Sequence, residues 1–371
     1  MGGRALIVSL LGLMVLSASI FYSITRSSES LMKNVDKYYL RQEAQNIAQS
    51  GANLALRQLS KDGSWRTGFP LMDALDGKLQ VQVKDTTYNS KYVVKITSTG
   101  IMYAGKPFEQ RATSVAYLPS GFLPAALKAA ITTNNPIRTL GNLTVDGREH
   151  TRLGVLIPNS GTLGIWTTKT LSQSGSSTIS GTRTGIDYAP AKPGNPNIIA
   201  TGQVWPGGYP GTPDSVLGGS SRGYPEGRLK AIAQSGIGGS QYVTNPNLLT
   251  TPLRGVTYVE LPSGGTWQSM DITGTGILIV HNTAKNAGMK NLNQGTFTGL
   301  VIADDVVHIH STIIGGLICL TPAPSEGNCI GNGNGDVLYS SEAIISATGG
   351  AGTASGGGDG SSGGGVVAWW E

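Results

Sequence analysis

The histidines of the second half of the chain stand where imidazole ligands could meet. His308 and His310 flank Ile309 in a strand-like run, so both side chains point to the same face. His281 and Asp304 lie in or beside neighbouring strand-like runs and could stack beside His308 and His310. Imidazole and carboxylate groups bind zinc and related metals; polar residues at the edge of a β-structured core are the alternative interpretation. The sequence predicts no bound metal, and these four residues are the candidates for one.

A second group of ionisable residues is close in sequence: Asp146, Glu149 and His150. Carboxylates and imidazole can perform acid–base chemistry or hold a metal, but an Asp-Gly turn with a capping side chain explains Asp146 equally well. Paired carboxylates also catalyse glycoside hydrolysis, yet the sequence offers no second cluster. Two Gly-x-Ser-x-Gly matches, at Ser221 and Ser362, lack the flanking strand and helix of a nucleophile elbow. We therefore predict no catalytic residue and no cofactor.

Two further features lie near residue 330. A Gly/Asn-rich run at 331–336 resembles a single calcium-binding repeat of the β-roll type. One copy supplies few of the six to eight oxygens that Ca²⁺ requires, so a simple turn is the preferred interpretation. Cys319 and Cys329 are ten residues apart. If this part is exported, we expect a disulfide that contributes about 2–3 kcal/mol by the chain-entropy model; two free buried thiols are the alternative.

Composition excludes several classes of protein. The 371 residues include 54 Gly, 39% hydrophobic and 13% charged residues, which permits a folded core and argues against disorder. Two cysteines exclude a disulfide-dense scaffold, and the glycines lack the every-third spacing of collagen. The net charge of +5 arises in the first 120 residues and is spread thinly there. A nucleic-acid partner, which needs a dense basic face, is therefore not expected.

The N-terminal region, 1–62, predicts one long helix that begins inside a membrane. Ala5 to Thr25 is 21 residues without a charge, and its ends are marked by Arg4 and Arg26. At about 1.5 Å per residue such a helix spans the hydrocarbon core, so 5–25 is the predicted membrane part. A cleaved secretory signal is the competing interpretation, but the apolar run is longer than usual and continues directly as helix.

The second half of this helix has an apolar face with small residues. Steps of four and three predict a contact seam, either with the chain's own sheet or with a neighbouring helix. Small residues on this face allow another backbone to approach closely. The seam consists of Leu40, Ala44, Ile47, Gly51 and Leu54.

The N-terminal pattern resembles that of type IV pilins and pilin-like minor pilins of the PilX type. A short basic leader, an uncharged run and an Ala/Gly-rich amphipathic end are typical of them, and AQNIAQSGANLAL at 44–56 resembles the end of their helix. The resemblance implies a leader cut after Gly3. Pilins usually have Glu at the fifth mature position, where it neutralises a neighbour's N-terminal amine during assembly. Counted from Arg4, this chain has Val8 there, a departure found in tip-type minor pilins.

Residues 63–120 predict a small antiparallel sheet. Leu79, Val81 and Val83 alternate with polar residues, which indicates a strand with one solvated face. A β-branched run at 92–97 and a third run at 110–117 complete a meander, with turns expected at 88–90 and at 99–100. A meander on the outer half of a long helix is the plan of a pilin globular domain.

Residues 121–348 predict a Gly-rich, mainly β domain. Strand-length runs at 276–280, 299–303, 306–310, 313–314 and 316–320 are separated by Gly, Asn, Ser and Thr. Glycines at 276, 299 and 316 suit the corners of a parallel β-helix-like solenoid, and a β-sandwich is the alternative. Residues 185–227 read as a long loop. NLTVDGREH at 142–150, and runs at 276–282, 295–302 and 339–343, also resemble the C-terminal part of the PilX-type proteins.

Residues 349–371 predict a Gly/Ser-rich linker with an apolar end. The last six residues, 366–371, include Trp369 and Trp370, which would be a liability if exposed at a free end. We expect the tail to dock on its own domain or on a neighbour, and its Val-Val-Ala run suits pairing with a sheet edge.

Together these features predict an α+β protein of the cell envelope. The resemblance implies a structural subunit of a cell-surface filament, with no enzymatic activity, whose partners are copies of itself or other pilin-like subunits. It implies a single pass through the inner membrane before assembly and an extracellular location afterwards. A membrane-anchored adhesin or carbohydrate-binding protein is one alternative. A β-helical enzyme acting on polysaccharides is another, and it would need acidic clusters along a groove.

Overall fold

A computed structural model describes residues 2–61, 65–88, 91–119, 121–268, 271–290, 293–325, 332–354 and 368–370. The chain is α+β: a long apolar N-terminal helix, a small antiparallel sheet, and a mainly β part with parallel strands. The helices are α1 (Gly2–Lys61), α2 (Pro213–Val216), α3 (Arg228–Ser235) and α4 (Ser341–Ala354). The strands of the small sheet are β1 (Phe69–Ala74), β2 (Gly77–Tyr88), β3 (Lys91–Met102), β4 (Gln110–Pro119) and, from the C-terminus, β26 (Ala368–Trp370).

The mainly β part begins at residue 129. Its strands are β5 (Ala129–Thr133), β6 (Ile137–Gly141), β7 (Thr144–Asp146), β8 (Arg148–His150), β9 (Leu156–Gly161), β10 (Leu163–Thr167), β11 (Leu171–Gln173), β12 (Thr178–Arg183), β13 (Ile186–Ala191), β14 (Ile199–Ala200), β15 (Gln241–Val243), β16 (Val256–Glu260), β17 (Thr266–Gln268), β18 (Gly274–His281), β19 (Gly288–Lys290), β20 (Thr296–Ala303), β21 (Asp305–Val306), β22 (His308–Ile309), β23 (Thr312–Cys319), β24 (Asn332–Gly333) and β25 (Asp336–Tyr339).

The antiparallel sheet has the strand order β1-β2-β3-β4-β26 and packs on the outer half of α1. The predicted turn at 99–100 is wrong, because Thr99 and Gly100 lie inside β3 and the chain turns after Met102. This strand position is a glycine because the backbone of α1 passes directly over it and leaves no room for a Cβ. Strand β1, which the sequence analysis did not predict, completes the edge beside β2.

The parallel strands are stacked out of chain order. On one side, β5 pairs with β10, β6 with β11 and β7 with β12, all in parallel. The chain then crosses to the far end and returns through β15, β16, β18 and β20 to β23. There β23, β24 and β25 pair with the other side of β5, β6 and β7. The first and last strands of this part are therefore neighbours, and the parallel pairing argues against the antiparallel sandwich.

A column of glycines crosses adjacent strands, as the spacing predicts, but with one change. Gly276, Gly299 and Gly315 stand opposite one another, all with positive φ. A Cβ on Gly299 would lie 2.0 Å from the carbonyl oxygen of Gly276. The predicted third member, Gly316, lies one residue further along, where the missing Cβ makes room for Leu127. The predicted runs at 313–314 and 316–320 thus form one strand, β23, while 306–310 is divided between β21 and β22.

The central strands are buried on both faces. Leu278, Val280 and Val301 point into the interior core, and their neighbours Ile277 and Ile279 pack beneath the helices. Strands covered on both sides read as continuous apolar runs, which is why this region shows no alternating pattern.

Two predicted irregular regions contain regular structure. The expected loop at 185–227 includes β13, β14 and α2, and α3 follows directly. The first residues of the expected linker, 349–354, belong to α4, which continues to Ala354. Ala347 and Ala351 of this helix are buried against the parallel strands.

Candidate functional site

The outer half of α1 lies on the antiparallel sheet through a face of small residues. Four of the five predicted seam residues face the sheet, and Leu54, 48% exposed, does not. Ala55, which is fully buried, faces the sheet in its place. The four are Leu40, Ala44, Ile47 and Gly51.

Two glycines set the distance between this helix and the sheet. A Cβ on Gly100 would lie 2.0 Å from the carbonyl oxygen of Ala44 and 2.8 Å from the amide nitrogen of Ala48. A Cβ on Gly51 would lie 2.3 Å from Cδ1 of Leu79. The contact is therefore backbone on backbone at its centre, closer than any larger residue permits.

The first half of α1 carries its apolar side chains in the open. Among the described residues it is the one helix long and apolar enough to cross a membrane, with a mean hydropathy of 2.1 in its most apolar window. None of that window is buried against the rest of the chain. In this half of α1, the hydroxyls of Ser17, Ser19 and Thr25 donate to helix carbonyls about one turn earlier, so these polar groups are satisfied without water.

Beyond the apolar run, α1 has a second exposed stripe. Leu31 and Val35 are both 65% exposed. At about 100° per residue, the stripe centres roughly half a turn around the helix from the face that contacts the sheet. The complete stripe is Leu31, Met32, Val35, Tyr38 and Tyr39. It is continuous along the helix and has no contact with the sheet that α1 carries.

The C-terminal strand β26 lies on the edge of the antiparallel sheet. Trp369 stands opposite Ala116 and Trp370 opposite Val115, in antiparallel register with β4. The tail thus reaches the sheet edge as predicted for this segment. The predicted contact of the two indole rings, and residues 366–367, lie outside what the structure describes.

Asp146, one of the three clustered residues, forms an ion pair with Arg148, and His150 lies beside this pair. Asp146 accepts bidentate hydrogen bonds from the Arg148 guanidinium, the shortest at 2.6 Å, and a further hydrogen bond from the backbone amide of Arg148. Burial raises the pKa of Asp146, but the hydrogen bonds from Arg148 outweigh it and hold the pKa below its usual range. His150 is buried, and its Nδ1 lies 2.8 Å from the carbonyl oxygen of Arg148.

Glu149 points away from that pair and caps a helix. Its Oε1 accepts from the backbone amide of Ser341 at 2.7 Å and from the Ser341 hydroxyl at 2.9 Å, at the start of α4. Burial raises the pKa of Glu149, opposed by these two hydrogen bonds. The carboxylates of Asp146 and Glu149 are thus committed to structural partners, and the arrangement has no pair of free carboxylates for glycoside hydrolysis.

His281 and Asp304 do come together. Asp304 is fully buried, accepts from the backbone amides of Asn282 and Ala287, and lies 2.6 Å from Nδ1 of His281. Both backbone amides donate to Oδ2, which leaves Oδ1 for the contact with His281. Glu260, on the neighbouring strand, stands opposite His281 in the register.

The other two candidate ligands lie apart from that pair. His310 Nδ1 is 2.6 Å from the amide oxygen of Asn334, and the ring of His308 is 6.3 Å from that of His310. Throughout the described ranges, no group of three or more His, Cys, Asp or Glu side chains converges on a point where a metal could bind.

The remaining sequence candidates are resolved only in part. Ser221 lies in a short 3-10 helix, 219–222, and donates to the carbonyl of Gly218, which is a turn contact rather than a nucleophile elbow. Cys319 is buried in β23, whereas Cys329 and Ser362 lie outside the described residues, so the predicted disulfide remains a prediction. In the Gly/Asn run, Asn334 binds His310 and Asp336 begins β25.

Sequence reasoning missed Glu260, Tyr242 and Lys230. Glu260 Oε2 accepts from the Lys230 ammonium at 2.6 Å and from the Tyr242 hydroxyl at 2.5 Å. Burial raises the pKa of Glu260, but these two hydrogen bonds outweigh it and lower the pKa. The three residues are 12 to 30 positions apart on α3, β15 and β16, and only the strand register brings them together.

Compared with protein-family models, with curated proteins and with solved structures, the chain has no significant match.

Proposed function

We propose that this chain is a structural, pilin-like subunit of a cell-surface filament. In this proposal the first half of α1 is held in the inner membrane before assembly and packs against the helices of other subunits afterwards. The antiparallel sheet and the mainly β part, which we interpret as a parallel β-helix, are displayed on the outside.

The observation that carries the proposal is the exposed stripe of α1 at residues 31–39. A membrane anchor needs apolar residues only over the hydrocarbon core, which the run at 5–25 is long enough to span. The stripe continues about 20 Å further at 1.5 Å per residue, along a part of α1 that is exposed on all sides and precedes the residues that contact the sheet. Exposing Leu31 and Val35 to water instead of burying them costs about 1.5–3 kcal/mol each.

A filament core covers both segments at once. When such helices bundle, the apolar run and the stripe are buried against neighbouring helices, and the sheet-facing side stays with its own subunit. A tether, in contrast, would leave the stripe in water. This difference favours assembly over a simple membrane anchor, which is the competing function.

The closeness of α1 to its sheet supports the same proposal. Backbone contact at Gly100 fixes the outward direction of the stripe, because the helix cannot rotate without forcing Ala44 and Ala48 away from β3. A subunit that packs by one helix face benefits from such a fixed orientation.

The proposal is tested by shearing cells that express the full-length chain and following the chain in filaments and in membranes. Leu31→Gln with Val35→Gln makes the stripe polar. Ser30→Gln with Asn34→Gln is the matched control, because these exposed positions lie beside the stripe on the polar side.

We expect wild type and control in sheared filaments visible by electron microscopy, and the stripe variant in the membrane fraction at a normal level but at least tenfold depleted from filaments. Wild-type chain that remains entirely in the membrane fraction would leave only the anchor function. Assembly of the stripe variant at the wild-type level would refute the role of residues 31–39.

A further inference from the structure

Three ionisable side chains form a column across neighbouring parallel strands. Glu260 ends β16, His281 ends β18, and Asp304 directly follows β20, and the register places each beside the next. Adjacent parallel strands are about 4.8 Å apart, so the column brings polar groups of three successive turns to one edge of the sheet.

Asp304 orients the column and is itself fully used. Its Oδ1 is hydrogen-bonded to Nδ1 of His281, and its Oδ2 accepts from two backbone amides. The other ring nitrogen, Nε2, has no hydrogen-bond partner among the described residues.

Glu260 has one free oxygen. Both of its donors, Lys230 and Tyr242, bond to Oε2. Oε1 has no hydrogen-bond partner among the described residues, although a carboxylate oxygen can accept two hydrogen bonds. The pair with Lys230 neutralises the charge of Glu260 while its second oxygen stays available.

A shallow pocket of about 470 Å³, open to solvent, lies beside Glu260. It is formed by the corners that follow β15, β16 and β18. Its rim carries the exposed hydroxyls of Thr244 and Thr283, and Pro262 and Ala284 give it an apolar wall. Asn282 is buried beneath, where Pro262 and Asn286 bind its amide group.

The chemistry of these groups selects the class of ligand. One free carboxylate oxygen and the hydroxyls of Thr244, Ser263 and Thr283 are fewer side-chain oxygens than the six to eight that Ca²⁺ takes. An anion would meet the carboxylate of Glu260, whose neighbouring ammonium is already engaged. A neutral molecule with several hydroxyls matches the site, because it donates to Glu260 Oε1, exchanges hydrogen bonds with the threonines and lays its C–H groups on Pro262.

From this geometry we infer that the pocket between the corners after β15, β16 and β18 binds a neutral saccharide, with Glu260 Oε1 and the hydroxyl of Thr283 as its main hydrogen-bonding groups. This binding site is independent of the filament function proposed above, since none of its residues belongs to α1 or to the antiparallel sheet.

The test titrates the full-length chain in detergent micelles with non-detergent saccharides, followed by saturation-transfer NMR and calorimetry. The neutral probes are maltose, cellobiose and N,N′-diacetylchitobiose; digalacturonic acid and glucosamine are the charged comparisons. Thr283→Val removes one exposed hydroxyl without changing the shape of the side chain. Thr201→Val is the matched control on an exposed loop outside the pocket lining.

We expect at least one neutral disaccharide to bind, and its affinity to fall fivefold or more in Thr283→Val and in Glu260→Gln but not in Thr201→Val. Binding of none of the three neutral probes overturns the inference. Tighter binding of either charged probe, or unchanged affinity in Thr283→Val, overturns it as well. A Glu260→Gln chain that fails to fold leaves the Thr283→Val comparison decisive, because the Thr283 hydroxyl has no hydrogen bond to any residue that the structure describes.

Discussion

Replacing Gly100 by Ala tests how closely α1 must approach its sheet. The new Cβ would lie 2.0 Å from the carbonyl oxygen of Ala44, whereas ordinary contacts begin at 3.4 Å. The difference, 3.4 − 2.0 = 1.4 Å, must be taken up by backbone, because no flexible side chain stands between β3 and the helix at this point.

The expected loss follows from that displacement. Overpacking of a core typically costs 1–3 kcal/mol, and a gap of 0.5–1 Å already removes a quarter to a half of each dispersion contact around it. Since Ile47, Leu79 and Ile96 all lie in the core that α1 closes, we expect Gly100→Ala to destabilise the helix–sheet unit by about 3 kcal/mol or more.

Two other glycines provide graded controls. At Gly51 the added methyl group meets the ends of the Leu79 and Ser98 side chains, which can rotate, and Ala favours the helix by about 1 kcal/mol. We therefore expect a smaller loss in Gly51→Ala. Gly350, in α4, has no atom within 4 Å of its missing Cβ, so Gly350→Ala is expected to be neutral or stabilising.

The assay is denaturation of the full chain in micelles, with hydrogen exchange of peptides from β3 as the local readout. Gly100→Ala should speed exchange in these peptides strongly, Gly51→Ala weakly, and Gly350→Ala not at all. If Gly100→Ala is as stable as wild type, or no less stable than Gly51→Ala, the close backbone contact is not what holds the helix in place.

Four further predictions concern other parts of the chain. Asp146→Asn should lower the free energy of unfolding at pH 7, because the pKa of Asp146 is lower in the folded chain than in the unfolded chain. This stabilisation is lost as the carboxylate is protonated, so the difference from wild type should shrink as the pH falls below about 4. Melting curves recorded across this pH range measure the difference. Gly299→Ala should cost more than 3 kcal/mol or abolish folding, since its φ of +145° and the carbonyl 2.0 Å away both exclude a Cβ, and circular dichroism of purified chain reports the outcome. Non-reducing peptide mapping should find Cys319 and Cys329 in one linked pair, and two alkylatable thiols in exported material would contradict this. Deleting 366–371 should lower the melting temperature or the yield of assembled material, because it removes the strand on the edge of β4; no effect on either quantity would mean that the edge needs no cover.

The helix and the small sheet could be predicted because their signals are local. The α1 pattern needs only neighbouring residues, and the strands at 79–83 and 92–97 follow from alternation and β-branched residues. Gly100 was misread as a turn because glycine marks both turns and close backbone contacts, and only the position of α1 distinguishes them. Leu54 was misplaced for a related reason: position 54 and position 55 fit the helical spacing almost equally well.

The mainly β part shows where such reasoning stops. Glycine spacing indicated the stacking of strands and missed its third member by one residue, Gly315 instead of Gly316. The candidate pair of His281 and Asp304 was found from the same runs. Glu260 and its partners were not, because the contact of Tyr242 and Lys230 with one carboxylate depends on register and on a helix laid over the strands. No local pattern carries that information.

The order in which the parallel strands stack has a consequence for synthesis. The edge of β5 that receives β23 is made early, and its partner follows much later: Ile131 pairs with Leu317, a separation of 317 − 131 = 186 residues. At about 5–20 residues per second, that edge waits on the order of 10–40 s on a nascent chain. Through this interval it is an unpaired template for any extended segment nearby. The strands therefore cannot pair one after another in chain order, and β23 to β25, which are made last, join the strands before and after them in the stack.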